Sequence, residues 1–307
     1  MKNKYYLRKF GFKYTLIAII DSFLVRQFKF QSKKIHKLRA NLVKEYLKKE
    51  YSNIINKWKN KKNDSEKIKS NSPIFVLWWQ GLENAPELIK ICINSIKKNA
   101  GNHQVIILDE NNISDWLDIP EVLRKKVENG KIGLANFSDY IRSSLLYQYG
   151  GIWLDSTTYL NDSIDKCING LSFWTVNHKN FESWHICRGK WSVSYFASEK
   201  NNITMGFMSD LFLNYYLKEE YVIYYLLVDC ILSLGYDEIE KIKEQINDVP
   251  INNEDVFLLN EKINDPYIEN LFIKTSKNIV NKLTYKKQLY KEKNGKITNY
   301  GYIVEEN

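Results

Sequence analysis

From residue 74 onward, short continuous apolar runs alternate with longer segments in which apolar residues recur at helical spacing. Three such runs predict buried strands, namely IFVLWWQ (74–80), HQVIILDE (103–110) and GIWLDSTTYL (151–160). The segments 85–99, 119–130 and 134–150 between them predict amphipathic helices, and the last two end at glycine. This alternation predicts an α/β fold in which helices flank a mainly parallel central sheet.

The two ends of the chain follow other patterns. Residues 34–60 predict one amphipathic helix, and the polar, charged residues 61–73 predict a linker. We therefore predict a helical basic N-terminal region over 1–71 and a larger α/β domain over 72–307. From residue 171 the pattern predicts two more strands and then two helices, and the tail is either a helix end or a hairpin.

The formal net charge of +9 is unevenly distributed. Residues 1–70 contain 20 Lys and Arg against 5 Asp and Glu, whereas the remainder contains 25 against 31. A basic block of this kind usually binds a polyanion, which is either nucleic acid or an anionic membrane surface. The folded part is mildly acidic and has no signature of a nucleic-acid-binding domain, so the membrane is the expected partner and nucleic acid is not.

The apolar run YTLIAIIDSFLV (14–25) follows a basic stretch, as in a signal peptide, but Asp21 interrupts it and no cleavage site follows. A helix of this length covers roughly 18 Å, against roughly 30 Å of bilayer hydrocarbon, so it is too short to span. It either lies in the membrane interface or packs as an ordinary helix. With four scattered cysteines, the chain is expected in the cytoplasm, peripheral on the inner face of the membrane.

Polar residues follow the predicted strands at their carboxyl ends, where parallel sheets bind ligands. These residues are Gln80, Asp109 and Asp155. Aspartates at strand ends also serve turns, so the position alone does not establish a site. In the helix before Asp155, Asp139 and Arg142 are three residues apart and lie on one stripe, where they either form a simple ion pair or face a ligand.

Glycines and tryptophans add to this candidate site. Gly150 and Gly151 permit a sharp turn before the strand and the close approach of a ligand. Trp78 and Trp79 are adjacent on a strand, so they should point to opposite faces, one into the core and one toward a ligand. The polar, aromatic segment 177–191 is a candidate for the acceptor side.

Three blocks of the chain together resemble a known family. FSDYIRSSLLYQYGGIWLD resembles the S-D-x-x-R and L-L-Y-x-Y-G-G-I-W-x-D signature of glycosyltransferase family 32, and within it the bacterial capsular polysaccharide synthesis proteins. WWQGLENAPELIKICINSIKKN resembles the opening strand and helix of these proteins, and VIILDENN the segment that follows. The resemblance covers roughly residues 72–160, extends more loosely to about 235, and excludes the basic N-terminal part.

The resemblance implies a GT-A fold, a nucleotide-sugar donor and transfer with retention. Asp139 and Arg142 match residues that touch the donor ribose and sugar, and Asp155 matches the first Asp of the D-x-D motif, which binds a divalent ion. Thr157 stands where the second Asp would be. Asp155 is thus the expected ligand of Mn2+ or Mg2+, alone or with a later carboxylate among Asp229, Asp237 and Asp255, or else Lys or Arg neutralises the diphosphate.

These inferences together predict a glycosyltransferase of hexosyltransferase type. Its donor would be a UDP-sugar, and its acceptor a cell-surface or capsular glycan that is lipid-linked. The predicted catalytic residues are Asp155, Arg142 and Asp139, and the predicted donor-binding residues are Trp79, Gln80, Asp139, Arg142, Gly150, Gly151, Asp155 and Thr157. The alternative is a non-catalytic relative that binds a glycan, a nucleotide or a partner enzyme, since Thr157 lacks the second negative charge. A further alternative, ranked below it, is a nucleic-acid-binding protein, which only the basic N-terminal 70 residues favour.

Overall fold

A five-stranded sheet forms the centre of the protein. The computed structural model describes residues 2–28, 32–61, 67–179, 185–269 and 278–306. The central strands are β1 (Ile74–Leu77), β2 (Val105–Leu108), β3 (Gly151–Leu154), β5 (Phe173–Thr175) and β6 (Tyr195–Ser198). Their order across the sheet is β2-β1-β3-β6-β5.

Four of these five strands run in the same direction. β1 pairs in parallel with both β2 and β3, through Ile74 opposite Val105 and Ile152. β6 is antiparallel to both of its neighbours, β3 and β5. The structure thus confirms a mixed α/β fold with a mainly parallel sheet. Because the chain leaves β1 toward β2 on one side and returns to β3 on the other, the carboxyl ends of β1 and β3 border a crevice suited to a ligand.

Helices cover the sheet. The larger ones that follow β1 are α4 (Glu87–Lys98), α6 (Leu134–Tyr149), α8 (Ile203–Lys218) and α9 (Leu227–Glu238). The shorter ones are α5 (Glu121–Glu128), α7 (Asp165–Ile168), α10 (Glu240–Asn247), α11 (Leu258–Glu261) and α12 (Asn299–Glu305). The helices predicted over 85–99, 119–130 and 134–150 are confirmed, with ends shifted by at most two residues.

The third predicted strand, residues 151–160, is two strands. After β3, a turn in which the Thr158 amide donates to the Asp155 carbonyl (2.9 Å) takes the chain out of the central sheet. It continues as β4 (Thr158–Leu160), which pairs antiparallel with β7 (Val280–Lys282). Tyr159 in β4 packs into a second hydrophobic cluster with α4 and the C-terminal segment, which explains why the strand leaves the sheet.

The C-terminal tail contains both of the predicted alternatives. β8 (Glu292–Lys293) and β9 (Lys296–Ile297) form a hairpin, and α12 follows it. Asn294 and Gly295 between the two strands both have positive φ, as the tightest hairpin turns require.

The N-terminal helices pack against the rest of the protein and share its hydrophobic core. They are α1 (Lys2–Phe28), α2 (Lys33–Glu50) and α3 (Ser52–Lys59), so the helix predicted over 34–60 is divided at Tyr51. α2 packs on α9 and α3 on α8. Tyr6 donates to the Val222 carbonyl (2.6 Å), and Arg39 joins α2 to Asp21 of α1 (2.7 Å). The division at residue 71 stays a prediction.

The two sides of α1 differ. Tyr14 and Ala18 are buried, whereas the opposite side exposes a stripe of apolar residues: Phe12, Leu16, Ile19, Ile20 and Phe23. Phe12 is 70% and Phe23 55% exposed. Within the described part of the chain, no helix has the length and apolarity needed to cross a bilayer.

Candidate active site

A cavity of about 600 Å³ opens beyond the carboxyl ends of β1 and β3, in the crevice that the sheet topology provides. Most of the predicted site residues line it, namely Trp79, Gln80, Asp139, Arg142, Asp155 and Thr157. These residues come from the turn after β1, from α6 and from the turn after β3. The structure therefore brings together residues from two separate blocks of the sequence, 78–80 and 137–157.

Asp155 is the carboxylate with the most partners in this cavity. Its Oδ1 accepts a hydrogen bond from Trp153 Nε1 (3.0 Å) and lies 3.4 Å from Arg142 Nη2. Its Oδ2 lies 2.6 Å from Nζ of Lys282. Burial raises the pKa of Asp155, but Lys282 and Arg142 more than offset that effect and hold the pKa well below its usual range. Asp155 therefore stays ionised at any ordinary pH.

Arg142 is fixed from several directions. Its Nη2 lies 3.2 Å from Asp139 Oδ1, and the same nitrogen makes the contact to Asp155. The central carbon of its guanidinium lies over the Trp153 ring, 5.2 Å from the ring centroid. Nη1 donates to the Val193 carbonyl. The predicted Asp139–Arg142 pair is thus present, and the same arginine also reaches Asp155. The pair belongs to the cavity and is not an isolated surface pair.

Asp139 is buried, and burial raises its pKa to about 7, with Arg142 opposing the shift and the Asp155 charge adding to it. Near neutral pH this carboxyl group is thus poised between its neutral and ionised forms. Asp229, on α9, also lines the cavity and accepts a hydrogen bond from Trp191 Nε1 (2.9 Å). Burial raises the pKa of Asp229 as well, which that hydrogen bond partly offsets.

We expect Asp139→Asn to change how stability depends on pH. The folded pKa of about 7 lies above the ordinary value of 3.8 for an aspartate, so the free energy of unfolding falls as pH rises through this window and becomes constant above it. The variant should gain stability relative to wild type by up to about 1.4 kcal/mol per pH unit between about pH 4 and 7. Urea unfolding of both proteins across this range measures it. A difference that does not vary with pH would contradict the raised pKa.

Gly150 and Gly151 do not line the cavity, which corrects their prediction as donor-binding residues. They lie at the start of β3, whereas Asp155 follows its end. Both have positive φ, and a Cβ on Gly151 would lie 2.4 Å from the Pro73 carbonyl oxygen. Gly151 is required because the backbone passes close to the entry of β1, and Gly150 because a Cβ there would lie 2.6 Å from the Lys200 backbone nitrogen, just after β6.

Other candidate carboxylates have structural roles outside the cavity. Asp109, at the end of β2, accepts hydrogen bonds from the amides of Asn111 (2.8 Å) and Asn112 (3.1 Å), so it caps a turn. Asp237 pairs with Lys44 on the face of α9 toward α2. Asp255 does not line the cavity either. Of the three later aspartates, Asp229 is therefore the one near the candidate site.

The tryptophans after β1 differ from expectation. Trp78 and Trp79 lie beyond Leu77, where the strand ends, so strict alternation between faces does not apply, and both line the cavity. Trp78 packs edge-on to Tyr285 (5.5 Å) and Trp79 edge-on to Phe137 (5.4 Å). In the predicted acceptor segment 177–191, residues 180–184 lie outside the described residues, and the others do not line this cavity.

Sequence reasoning missed Lys282, the cation closest to Asp155. It lies 127 residues farther along the chain, in the short and inconspicuous strand β7. No local motif surrounds it, and only the pairing of β4 with β7 brings the two residues together. Lys286 lines the same cavity and was missed for the same reason.

The donor set of the described residues does not fit a divalent ion well. No group of three or more His, Cys, Asp or Glu side chains in the described ranges is placed to hold a metal ion. Both oxygens of Asp155 already face N–H groups or cations, and Thr157 supplies no second charge. The requirement for Mn2+ or Mg2+ stays a prediction that this geometry does not favour.

Comparison with known proteins places the chain in a family. The family of capsular polysaccharide synthesis proteins matches residues 25–302. The chain belongs to this family. The match includes all of α2 and α3, so the prediction that the resemblance excludes the basic N-terminal part was wrong. Assignment to glycosyltransferase family 32 stays a prediction.

Two other proteins to which the chain is similar are glycosyltransferases by name. The O-glycosyltransferase braB of Annulohypoxylon truncatum is 27% identical over 112 residues, which are 33% of this chain and 27% of that protein. The chain thus matches about a quarter of the length of this curated relative. The solved structure of the PaToxG glycosyltransferase covers 68% of this chain and 83% of its own, with 19% identity and a TM-score of 0.41.

Proposed function

We propose that this protein is a glycosyltransferase with a GT-A type fold that moves a sugar from a nucleotide-sugar donor, a UDP-sugar in particular, to a growing cell-surface glycan. One observation carries the proposal. Asp139, Arg142 and Asp155, which match the donor-contacting positions of the resemblance, meet in one cavity at the carboxyl ends of parallel strands. Membership in the capsular polysaccharide synthesis family supports the glycan as acceptor.

The cavity suits the chemistry of this transfer. An acceptor hydroxyl oxygen bonds to the anomeric carbon of the sugar while the bond from that carbon to the phosphate oxygen breaks. The electron pair of the broken bond stays on the nucleoside diphosphate, which also takes the proton of the hydroxyl. With retention, no separate general base is needed, and the protein has to stabilise the negative charge that develops on the leaving diphosphate.

The first test is slow hydrolysis of a panel of UDP-, GDP-, CMP- and dTDP-linked sugars without acceptor, in which water takes the place of the hydroxyl. We expect release of the free sugar and nucleotide from one donor class, measured by chromatography. A protein that binds a nucleoside diphosphate but releases no sugar with any donor or glycan acceptor would instead be the non-catalytic relative.

We further propose that the protein acts on a lipid-linked acceptor at the inner face of the cell membrane, where α1 lies in the interface. The exposed apolar stripe of α1 faces away from the protein, and the exposed Lys13 and Arg26 lie at the two ends of the same stretch of helix, after a kink at Gly11. Apolar groups would enter the acyl boundary while the cations meet anionic headgroups. Packing against the protein and lying in the membrane interface, the two alternatives for this segment, are thus compatible. One side of α1 packs on the protein, and the other side is exposed and can bind lipid.

The double variant Phe12→Ser/Phe23→Ser should bind vesicles containing phosphatidylglycerol at least about tenfold more weakly than wild type, because each exposed phenylalanine contributes apolar burial. Flotation of the vesicles with bound protein measures this. The matched control is Val122→Ser/Ile251→Ser, which removes two exposed apolar side chains elsewhere (41% and 48% exposed). Equal binding of the two double variants would refute the assignment to α1.

A further inference from the structure

Lys282 and Asp155 form an ion pair inside the candidate active site. The Nζ–Oδ2 distance is 2.6 Å, and the two side chains are about equally accessible from the cavity, at 23% and 24%. A pair of this kind in a closed core would be purely structural. Here both charged groups line a cavity large enough for a ligand, so a bound molecule can contact them.

The backbone holds Lys282 beside the turn that carries Asp155. Lys282 is opposite Thr158 in the β4–β7 ladder, and its amide donates to the Val256 carbonyl (2.8 Å). The next amide, that of Leu283, donates to the Thr157 carbonyl (2.9 Å). The strand that carries Lys282 is therefore bonded to Thr157, the residue that stands where the second Asp of a D-x-D motif would be.

The charges of the cavity favour an anion. The ionisable side chains that line it, tyrosines aside, are Arg142, Lys282, Lys286, Asp139, Asp155 and Asp229. Burial raises the pKa of Asp139 and of Asp229, so two of the three carboxyl groups resist ionisation. Against these stand three basic side chains, and of the carboxyl groups Asp155 alone is held firmly ionised. A diphosphate would find an excess of positive charge there.

We infer that Lys282 supplies the positive charge that stabilises the leaving nucleoside diphosphate, in the role that a divalent cation has in metal-dependent enzymes. This inference rests on the proposed function and names the charged group that serves it. When the bond between the anomeric carbon and the phosphate oxygen breaks, the electron pair remains on the diphosphate, and the ammonium group of Lys282 balances that charge. Asp155 positions Lys282 and Arg142 and keeps both cations at the cavity wall.

The test compares UDP and UMP binding by calorimetry in wild type and in Lys282→Met, each in EDTA and in Mn2+. We expect wild type to bind UDP equally well in both buffers, within about threefold. Lys282→Met should lose about tenfold or more in UDP affinity, because a charge-assisted contact to phosphate is lost. Its UMP affinity should change much less, since the β-phosphate is absent. Lys282→Arg should retain most of the preference for UDP.

Two controls separate this role from a structural one. Lys293→Met removes an exposed lysine of the same C-terminal segment and should leave the ratio of UDP to UMP affinity unchanged. The double variant Asp155→Asn/Lys282→Met removes both charges of the pair, so it shows by thermal unfolding whether an unpaired aspartate destabilises the single variant. A structural role for Lys282 would weaken UDP and UMP equally.

The outcomes also distinguish this inference from the proposed function. UDP binding that requires Mn2+ in wild type and is unchanged in Lys282→Met contradicts the inference and leaves the glycosyltransferase proposal intact. Equal losses for UDP and UMP contradict it in the same way. If wild type bound none of the nucleoside diphosphates of the donor panel (UDP, GDP and dTDP) in either buffer, the proposed function would fail, and the inference with it.

Discussion

Asp155→Asn should reduce donor hydrolysis by about a hundredfold or more, because the substitution removes the negative charge that positions Lys282 and Arg142 where charge develops in the transition state. Asn has the same shape and still accepts the hydrogen bond from Trp153. The cavity should therefore keep its form while its two nearest cations lose their anchor. Initial rates of sugar release from the donor found in the panel measure the effect.

The matched control for this variant is Asp109→Asn. Asp109 also follows a strand of the central sheet, but its carboxylate accepts amide hydrogen bonds within its own turn and does not line the cavity. We expect its rate to stay within about threefold of wild type, with a small loss of stability for the weakened cap. If both variants lost activity equally, or if Asp155→Asn remained fully active while folded, the site assignment would be wrong.

The wild-type rate also has a predicted pH dependence. Since Lys282 and Arg142 hold the pKa of Asp155 far below its usual range, protonation of Asp155 should not reduce the rate anywhere between about pH 5 and 8. A decline within this range would have to come from another group. Among the described residues of the cavity, Asp139, whose pKa burial raises to about 7, and Asp229, whose pKa burial also raises, are the carboxyl groups placed to cause it.

The part of the fold that sequence reasoning predicted is the part that local patterns determine. The alternation of apolar runs with amphipathic helices over residues 74–154 predicts β1, β2, β3 and the helices between them, since each element has its own periodicity and stop signal. The turn at Asp155 was not predicted, because the residues TTYL (157–160) after it continue the strand-like pattern of β3. Only the distant partner β7 shows that β4 belongs to another sheet.

The candidate site divides in the same way. Asp139, Arg142 and Asp155 were predictable because they lie within one block of the chain, at helical spacing and at a strand end. Lys282 was not, because its role depends on a contact across 127 residues that no short pattern encodes. Gly150 and Gly151 do adopt positive φ, as a sharp turn predicts, but they lie at the start of β3, whereas Asp155 and the cavity lie beyond its end.

Gly151→Ala should destabilise the protein by about 3 kcal/mol or more. At φ +113 the alanine is strained, and its Cβ would lie 2.4 Å from the Pro73 carbonyl oxygen. That oxygen cannot simply move away, because it accepts the Ile152 amide (2.8 Å) where β3 joins β1. Relief of the clash would therefore cost part of the pairing between these two central strands.

Gly130→Ala is the matched control, since Gly130 also has positive φ (+65) but a Cβ there would meet no atom within 4 Å. It isolates the cost of backbone conformation, about 1 kcal/mol. Urea unfolding of both variants should thus show Gly151→Ala as less stable by about 2 kcal/mol or more. Equal stabilities would mean that the carbonyl of Pro73 can shift freely. Gly151 would then be explained by the turn alone, and not by the close approach of the chain to Pro73 at the start of β1.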